Sequence, residues 1–319
     1  ARRAAGFGAG IGIAGSGVGL GGLGPAVGGR RDGAAGGEGD AGRVAIRRRM
    51  RRVAAVSVGL TLVVVVAGTY AVLRVLLHTG PLASVGSDSV LRELRAEGPS
   101  ATVVAASGEP DRLGPPPAGV YTYAASGFYE TTAPVFGKER RELPETVPAA
   151  LRHEPDGWTL TVHFFDRHRT VFRWIAGPGG LLQESDTVTD NVRFGFEVRT
   201  TLSCRPTEIL RGTMAAGAAW EQDCRAVSKG VVTASQEMGS KTTLVGVEPL
   251  VVGGAPVDAW HVRRDTVVSG GQTGTLVRDA WFAVDTGLLL RLDVDSRTSG
   301  LADHTEITSL VLTSLVPEV

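Results

Sequence analysis

The chain has 319 residues, 43% of them apolar, and a formal net charge of zero. A chain of this length can bury a large core, and its neutrality predicts no nucleic-acid partner. The zero hides an asymmetry, because residues 1–52 carry ten Arg against three acidic residues and the rest of the chain is acidic. A basic tail and an acidic body on opposite sides of an apolar run indicate a membrane topology.

Residues 1–52 form a Gly/Arg-rich segment that we predict to be a disordered cytoplasmic tail. Residues 1–42 contain 17 of the 44 glycines and few large side chains, so they cannot bury enough apolar area to offset the entropy of ordering. The match Gly10-x-Gly12-x-x-Gly15 resembles a dinucleotide-binding loop, but that motif needs a strand before it and a helix after it. We therefore expect no cofactor.

Residues 53–77 are predicted to form a transmembrane signal-anchor helix. Residues 53–73 contain no charged side chain, and this length spans a bilayer at about 1.5 Å per residue. Six Arg precede the stretch and only Arg74 follows it directly, so the N-terminus is expected in the cytoplasm and the C-terminal domain outside. A cleaved signal peptide is the alternative, although its apolar core is usually shorter. The cell membrane is the expected location and the lipid bilayer an expected partner.

Residues 78–117 are predicted to hold a short helix and a linker. Residues 87–98 have an amphipathic pattern, with Ser87 or Asp88 as the capping residue. Its apolar stripe comprises Val90, Leu91 and Leu94. Three consecutive prolines at 115–117 stiffen the end of the linker.

Residues 118–319 are predicted to form an extracytoplasmic all-β domain. Apolar side chains alternate with polar ones, which puts one face of each strand on a core and the other in water. Examples of such runs are Trp158, Leu160, Val162 and Phe164, and later Leu288, Leu290, Leu292 and Val294. Glycine pairs at 253–254 and 270–271 mark turns between the runs. The pattern predicts a mainly β fold of about ten strands, either an antiparallel meandering sheet or a half-barrel.

Two cysteines, Cys204 and Cys224, lie on the predicted outer side, where disulfides persist. Two thiols cannot complete a metal site alone. We predict a Cys204–Cys224 disulfide, with two buried reduced thiols as the alternative.

The motif Asp285-Thr286-Gly287 follows an apolar strand, as the catalytic motif of aspartic proteases does. Strands are predicted on both sides of it, and Asp and Gly at such a link are ordinary hairpin residues. We interpret the motif as a turn and predict no catalytic residue.

A second cluster, His163, Asp166 and His168, contains residue types that bind metals. Its spacing matches no known metal site, and the segment Asp166-Arg167-His168-Arg169 links two aromatic strands. We interpret it as a charged turn and predict no metal site.

The aromatic residues of the strands are candidates for an apolar ligand cavity. In the segment 193–204 the even positions are taken to face inward, while Arg193, Glu197 and Arg199 take the solvent face. The cavity candidates are Trp158, Phe164, Phe194, Phe196 and Trp260. The same residues are equally consistent with the packed core of a sheet.

The last hundred residues contain sequence motifs that resemble those of a known group of proteins. The motifs are Trp220-x-x-x-Cys224, Val251-Val252-Gly253-Gly254-x-Pro256-Val257, Trp281, Asp285-Thr286-Gly287-Leu288-x-Leu290-Arg291 and a closing strand over 310–317. They resemble actinobacterial single-pass membrane proteins of unknown function, whose C-terminal hairpins are similar to the LolA-type lipoprotein-carrier superfamily. Over residues 118–317 the resemblance implies an incomplete antiparallel barrel around an apolar cavity, in a superfamily with several lipid or lipoprotein carriers.

Three functions are compatible with these features. The first is a non-enzymatic, membrane-anchored binding module for an apolar or lipid-like ligand. The second is a structural or protein-interaction domain of the cell envelope with a filled core, which would have an envelope protein as its partner. The third is an extracytoplasmic hydrolase.

Overall fold

The structure is a computed structural model that describes residues 65–66, 68–70, 72, 82–98, 113–134, 136–230 and 233–319. The predicted tail, 1–52, lies outside the described residues. So does most of the predicted span, 53–77, of which the described positions between 65 and 72 are helical. In the part of the chain that the structure describes, no helix is long and apolar enough to cross a membrane.

Strands dominate the described residues, as the alternation predicted. The strands are β1 Gly119–Ala133, β2 Gly137–Glu142, β3 Thr146–Glu154, β4 Gly157–Phe165, β5 His168–Ala176, β6 Leu182–Glu184, β7 Thr187–Arg193, β8 Phe196–Arg205, β9 Glu208–Leu210, β10 Ala219–Lys229, β11 Thr233–Val252, β12 Ala255–Gly270, β13 Gln272–Ala283, β14 Leu289–Gly300 and β15 Asp303–Leu312. A short 3-10 turn occupies Pro178–Gly180. The number exceeds the predicted one partly because β2, with the sequence GKERRE, has no apolar alternation to reveal it.

Twelve strands close into an antiparallel barrel in the order β4-β3-β1-β15-β14-β13-β12-β11-β10-β8-β7-β5, and β5 pairs with β4. The half-barrel prediction was therefore wrong in its openness. Within the ring, β1 joins the beginning of the domain to its end, since it pairs on one side with β3 and on the other with β15. Outside the ring, β2 pairs with β1, and β6 connects β5 to β9.

Helix α1 (Ser87–Ala96) lies against the outside of β1 and β3. Its buried Val90 packs on Val120 and Ala150, as the predicted apolar stripe requires. The predicted cap is wrong, because Gly86 occupies the N-cap position and no side chain bonds to the free N–H groups there.

The strand register aligns inward side chains of neighbouring strands into rows across the barrel. One row is apolar and comprises Val262, Ala280, Leu292, Leu310 and Ala125. The adjacent row lies two positions away on every strand, in the same direction along the barrel. It begins with Arg264 and Arg278 and ends at Gly127. The next row comprises Thr266, Leu276, Ser296, Glu306 and Tyr129. The interior thus changes from apolar to polar along the barrel.

We call the apolar end of the interior the core half. Its largest fully buried side chains include Tyr121, Tyr123, Trp158, Trp174, Phe282 and Leu290. Trp174 packs edge-on against Phe282, with ring centroids 5.8 Å apart. The interior beyond the Arg264–Arg278 row is the cavity half.

Candidate functional site

The cavity half encloses a cavity of about 230 Å³. Its floor is the row containing Arg264 and Arg278, and its rim carries Arg193 and His304. The apolar part of the lining includes Phe164, Phe172, Met238 and Leu276. At the floor end it also includes Val294, in the floor row, and Leu292, in the core-half row that borders it. The wall also carries hydroxyl groups, among them those of Thr187, Ser240 and Thr266. The cavity therefore suits a ligand with both apolar and polar parts.

The floor is built on a buried carboxylate held by two guanidinium groups. Arg264 Nη1 donates to Glu184 Oε2 at 2.8 Å, and Arg278 Nη1 donates to Glu184 Oε1 at 2.7 Å. Arg264 also donates from Nε to Thr242 Oγ1 at 3.3 Å. Burial alone would raise the pKa of Glu184, but the two arginines outweigh it and hold that pKa well below its usual range. The floor therefore carries two positive charges against one negative charge.

Arg278 is incompletely satisfied. Its Nε and Nη2 are buried and have no hydrogen-bond partner among the described residues. The ring of Phe172 covers the guanidinium, with Cζ 5.2 Å from the ring centroid. A cation over an aromatic face recovers part of the lost solvation, so the Phe172 ring stabilises the buried guanidinium.

Five ionisable side chains meet at the rim. They come from four strands and are Tyr129, His168, Arg193, His304 and Glu306. The Tyr129 ring lies 4.5 Å from the His168 ring, and Thr131 Oγ1 lies 3.2 Å from His304 Nδ1. The rim is thus a connected polar cluster at one end of the cavity.

Burial in the barrel interior shifts the pKa values of the side chains in this cluster. Burial and the nearby Arg193 lower the pKa of His168 and of His304 to about 3, so both rings are neutral at physiological pH. Burial raises the pKa of Glu306 to about 7, although Arg193 acts in the opposite direction. Burial also lowers the pKa of the Arg193 guanidinium. Glu306 is consequently the group that titrates near neutrality.

Strand β2 covers one side of the rim. It pairs with β1, and it reaches β7 and its turn through two side-chain bonds. Arg141 Nη1 donates to the Val192 carbonyl at 2.9 Å, and the Phe194 N–H donates to Glu139 Oε2 at 2.6 Å. Arg141 and Glu139 also form an ion pair with each other. This side of the rim is closed by side chains rather than by a strand ladder.

The structure places the predicted cavity residues in three different surroundings. Phe164 lies in the cavity wall, with its ring centroid 5.7 Å from that of Tyr129. Trp158 and Trp260 belong to the apolar cluster of the core half. Neither lines the cavity, and the inward position of Trp260 precedes that of the floor residue Arg264 along β12. Whether any of the predicted residues contacts a ligand stays a prediction.

Phe194 and Phe196 lie at the barrel end. Phe194 and Gly195 form the two-residue turn between β7 and β8, and both have positive φ, 50° and 77°. Phe194 stacks on the exposed Phe136 at 5.2 Å, and Phe196 meets the same ring edge-on at 6.0 Å. The predicted alternation across 193–204 was wrong at this turn, because the chain reverses there and Arg193 faces the cavity.

The predicted disulfide is confirmed. Cys204 and Cys224 are bonded and face each other across the β8–β10 pair. Cys224 lines the cavity, and its Sγ lies 3.6 Å from Ser240 Oγ. The bond therefore fixes two strands of the cavity wall.

The two motifs interpreted as turns have different outcomes. Asp285 is exposed in the turn between β13 and β14, which the Gly287 N–H closes by bonding to the Ala283 carbonyl at 2.8 Å. Asp166 also lies in a turn, but the adjacent His168 is buried among the rings of Phe164 and Tyr129. The interpretation of the segment 166–169 as a charged turn was wrong for its last two residues, which begin β5, and His163 is buried in β4.

The charged cavity residues were missed by the sequence reasoning. Arg264 shares the inward parity of Val262 and Val268, and Arg278 shares that of Ala280. A charged residue at an inward position of an alternating strand is the signal that could have revealed both. Glu184 gave no such signal, because β6 has only three residues.

Comparison with known proteins gives limited information. No family model matches the chain, and no curated protein matches it. Among solved structures, the hypothetical lipoprotein YmcC from Escherichia coli (K12) is similar, with 13% identity and a TM-score of 0.33. The match covers 61% of this chain and 86% of that chain. At this TM-score the similarity carries no argument about what this chain binds, and it gives no support to the actinobacterial or single-pass parts of the predicted resemblance.

Proposed function

We propose that the chain is a non-enzymatic binding module that holds a ligand with a substantial apolar part inside the cavity half of the barrel. The observation that carries the proposal is the contrast within one closed barrel. One half of the interior is filled by packed aromatic and aliphatic side chains, while the other half holds a cavity of about 230 Å³. Protein interiors are normally close-packed, so a cavity of this size inside the barrel needs an explanation.

The wall of the cavity supports an amphipathic ligand. Its middle section offers aromatic, Met, Leu and Val side chains, whereas floor and rim offer charges and hydroxyl groups. Ligand pockets commonly combine an apolar lining with a few placed polar groups. The volume lies slightly below the roughly 300–1,000 Å³ of typical ligand pockets, which favours a small or single-chain molecule.

The proposed setting is the outer side of the cell membrane, with the chain fixed by residues 53–77. Two features support it: the uncharged run 53–73 preceded by an Arg cluster, and the disulfide, since such bonds persist in oxidising compartments. A module fixed to the membrane suits binding or sensing better than shuttling of a cargo.

The test is photo-crosslinking of the full chain in isolated membranes with a diazirine-bearing decanol. Peptide mapping locates the label, so partitioning into lipid does not count as binding. In wild type, we expect label on the wall around Met238 and Leu292. Ala226→Phe, which adds a ring to the cavity wall, should abolish this label. The neighbouring Val227→Phe, on the opposite face of β10, should not.

The alternative is an envelope structural domain without a ligand. That function would be indicated if no cavity peptide were labelled, or if Ala226→Phe and Val227→Phe were labelled like wild type. A hydrolase would instead release a product from acyl or peptide substrates, with a rate that a single polar substitution at the rim abolishes.

A further inference from the structure

The ionisable side chains inside the barrel carry an excess of positive charge. Arg193, Arg264 and Arg278 all line the cavity. The Glu184 carboxylate neutralises one of the two floor arginines. Among the described residues that line the cavity, Glu306 is the single carboxylate, and burial raises its pKa to about 7. Burying charge without a partner is costly, so this interior favours a ligand that supplies negative charge.

Arg193 is the cation that a ligand can reach. It is the last residue of β7 and lines both the cavity and the small cleft beneath β2. In the described part of the chain, its guanidinium makes no hydrogen bond and no ion-pair contact. Arg264 and Arg278, in contrast, are tied to Glu184. Arg193 therefore has free donors in a fork that matches a carboxylate.

No carboxylate of the described residues lies within ion-pair distance of the Arg193 guanidinium. The charged or titratable groups facing it are Tyr129 from β1, Glu139 and Arg141 from β2, His168 from β5, and His304 and Glu306 from β15. Glu139 and Arg141 are paired with each other. The two histidines are neutral, and Glu306 attracts Arg193 without forming a hydrogen bond to it. Asn191, two residues earlier on the same strand face, has a buried side-chain oxygen without a partner in the described chain.

We infer that the ligand is an acidic amphiphile with one apolar chain, whose carboxylate binds Arg193 at the rim while the chain lies against the apolar wall below it. The inference rests on the proposed function and specifies the head group, its position and the number of chains. A planar carboxylate is the acceptor that a guanidinium fork pairs with in two parallel hydrogen bonds. Asn191 lines the same cavity, and its side-chain amide N–H groups can donate to a carboxylate.

The position of the apolar wall determines the orientation of the ligand. Phe164 and Leu276 lie between the rim and the charged floor. A chain that enters with its head group at Arg193 covers these side chains and ends before Arg264 and Arg278. The reverse orientation would leave Arg193 without a partner and would place the carboxylate beside Arg264 and Arg278, which are already paired with Glu184.

The test is competition against the diazirine-bearing decanol in membranes that contain the full wild-type chain, at about pH 6. The competitors are decanoic acid, decyl phosphate, decanol, decyltrimethylammonium and acetate. Decanoic acid should displace the label at a concentration about tenfold or more below that of decanol, as expected for a charge-assisted hydrogen bond. Decyltrimethylammonium should compete more weakly than decanol, and acetate should not compete at comparable concentrations.

Two arginine variants locate the head group. Arg193→Gln should remove the advantage of decanoic acid over decanol while the decanol label remains. Arg199→Gln is the matched control, because Arg199 projects outward from β8 and pairs with Asp190 at the surface. Arg199→Gln should retain the full advantage of decanoic acid over decanol. If Arg193→Gln is not recovered folded, the wild-type series still measures head-group preference, and Arg193→Lys should keep a reduced preference for the acid.

The outcomes separate the inference from the proposed function. No cavity label from the decanol probe would reject the proposed function itself. A labelled cavity with equal competition by acid and alcohol would reject the inference alone. A preference for decyl phosphate over decanoic acid would replace the carboxylate with a phosphate head group. An acid preference that survives in Arg193→Gln would overturn the assignment of the head group to the rim.

Discussion

The core half and the cavity half are built by the same strands with the same alternation, yet their interiors differ. The core-half row that contains Ala280 and Leu310 is apolar throughout. Four residues along each strand, the corresponding row contains Ser296, Glu306 and Tyr129. Alternation therefore determines that a strand joins the barrel. The residues at the inward positions determine whether the interior is close-packed or leaves a cavity for a ligand.

The two halves also satisfy their buried groups differently. In the core half, apolar burial stabilises the fold, at roughly 25 cal/mol per Å². In the cavity half, buried polar groups depend on specific partners, and a partner that is removed leaves a costly orphan. Substitutions should therefore have different consequences in the two halves, and four predictions test this contrast.

The largest effect is expected at the boundary between the halves. Glu184→Ala leaves Arg264 and Arg278 buried without their carboxylate, and should destabilise the domain by about 3–5 kcal/mol. Chemical denaturation measures the loss. Glu237→Ala, which removes an exposed carboxylate beside Arg225, is the control and should change stability little.

A triple variant sharpens this result. Replacing Glu184, Arg264 and Arg278 together by apolar residues of similar volume removes the buried charges as well as their bonds. Such replacements are often neutral or stabilising, so stability should recover relative to Glu184→Ala. A triple variant as unstable as the single one would contradict the description of the floor as a charge cluster that depends on mutual pairing.

Two leucine truncations compare the halves directly. Leu290→Ala in the core half should cost about 2–5 kcal/mol, because the side chain is fully buried and its removal leaves a void. Leu276→Ala in the cavity wall should cost clearly less, since one side of Leu276 already faces empty space. Equal costs by denaturant unfolding would mean that the cavity half is packed as tightly as the core half.

Reduction of the disulfide should weaken the cavity half. The bond closes a loop with a sequence separation of 20 and should contribute on the order of 3 kcal/mol. A thermal scan with and without reductant should therefore show a fall of several degrees in the midpoint. The Cys204→Ala/Cys224→Ala protein should be insensitive to reductant. Peptide mapping that found free thiols in wild type would remove the basis of this prediction.

The smallest effect concerns Glu306 and pH. Its pKa rises from 4.5 to about 7 on folding, so the folded state holds a proton that the unfolded state releases above about pH 4.5. This group therefore lowers stability as pH rises from about 4.5 to 7. Across that window, the free energy of unfolding of Glu306→Gln should rise relative to that of wild type by on the order of 1 kcal/mol. Screening by cavity water keeps the effect small. A stability difference between Glu306→Gln and wild type that stays constant with pH would contradict this prediction.

The sequence predicted the strands with long alternation, such as β4 and β14, and the turns at Gly253–Gly254 and Asp285–Gly287. It did not predict closure, because closed and open barrels have the same alternation and differ only in which strands pair. The disulfide was predicted from two cysteines alone. Short or fully polar strands such as β6 and β2 lack the apolar period on which the prediction depends.

The cavity was less predictable than the fold, for a reason that Phe194 illustrates. A bulky residue with φ of 50° is an uncommon turn residue, so the reversal between β7 and β8 was hidden and Arg193 was placed on the wrong face. Selection of cavity candidates by aromatic character also favoured the core half, where Trp158 and Trp260 lie. The residues that give the cavity its character are charged, and they were recognisable only as exceptions within apolar runs.

The pairing of β1 with β15 has a consequence for the order in which the domain forms. Most other ring contacts join strands that are close neighbours along the chain, but this ladder places Ala125 beside Leu310. Contacts between such distant residues require a large loss of chain entropy before they contribute, and they slow folding. The ring can be completed only after the last strand has emerged from the ribosome or the translocation channel. Until then, β1 and β14 present open edges, and the nascent chain is exposed to mispairing and aggregation.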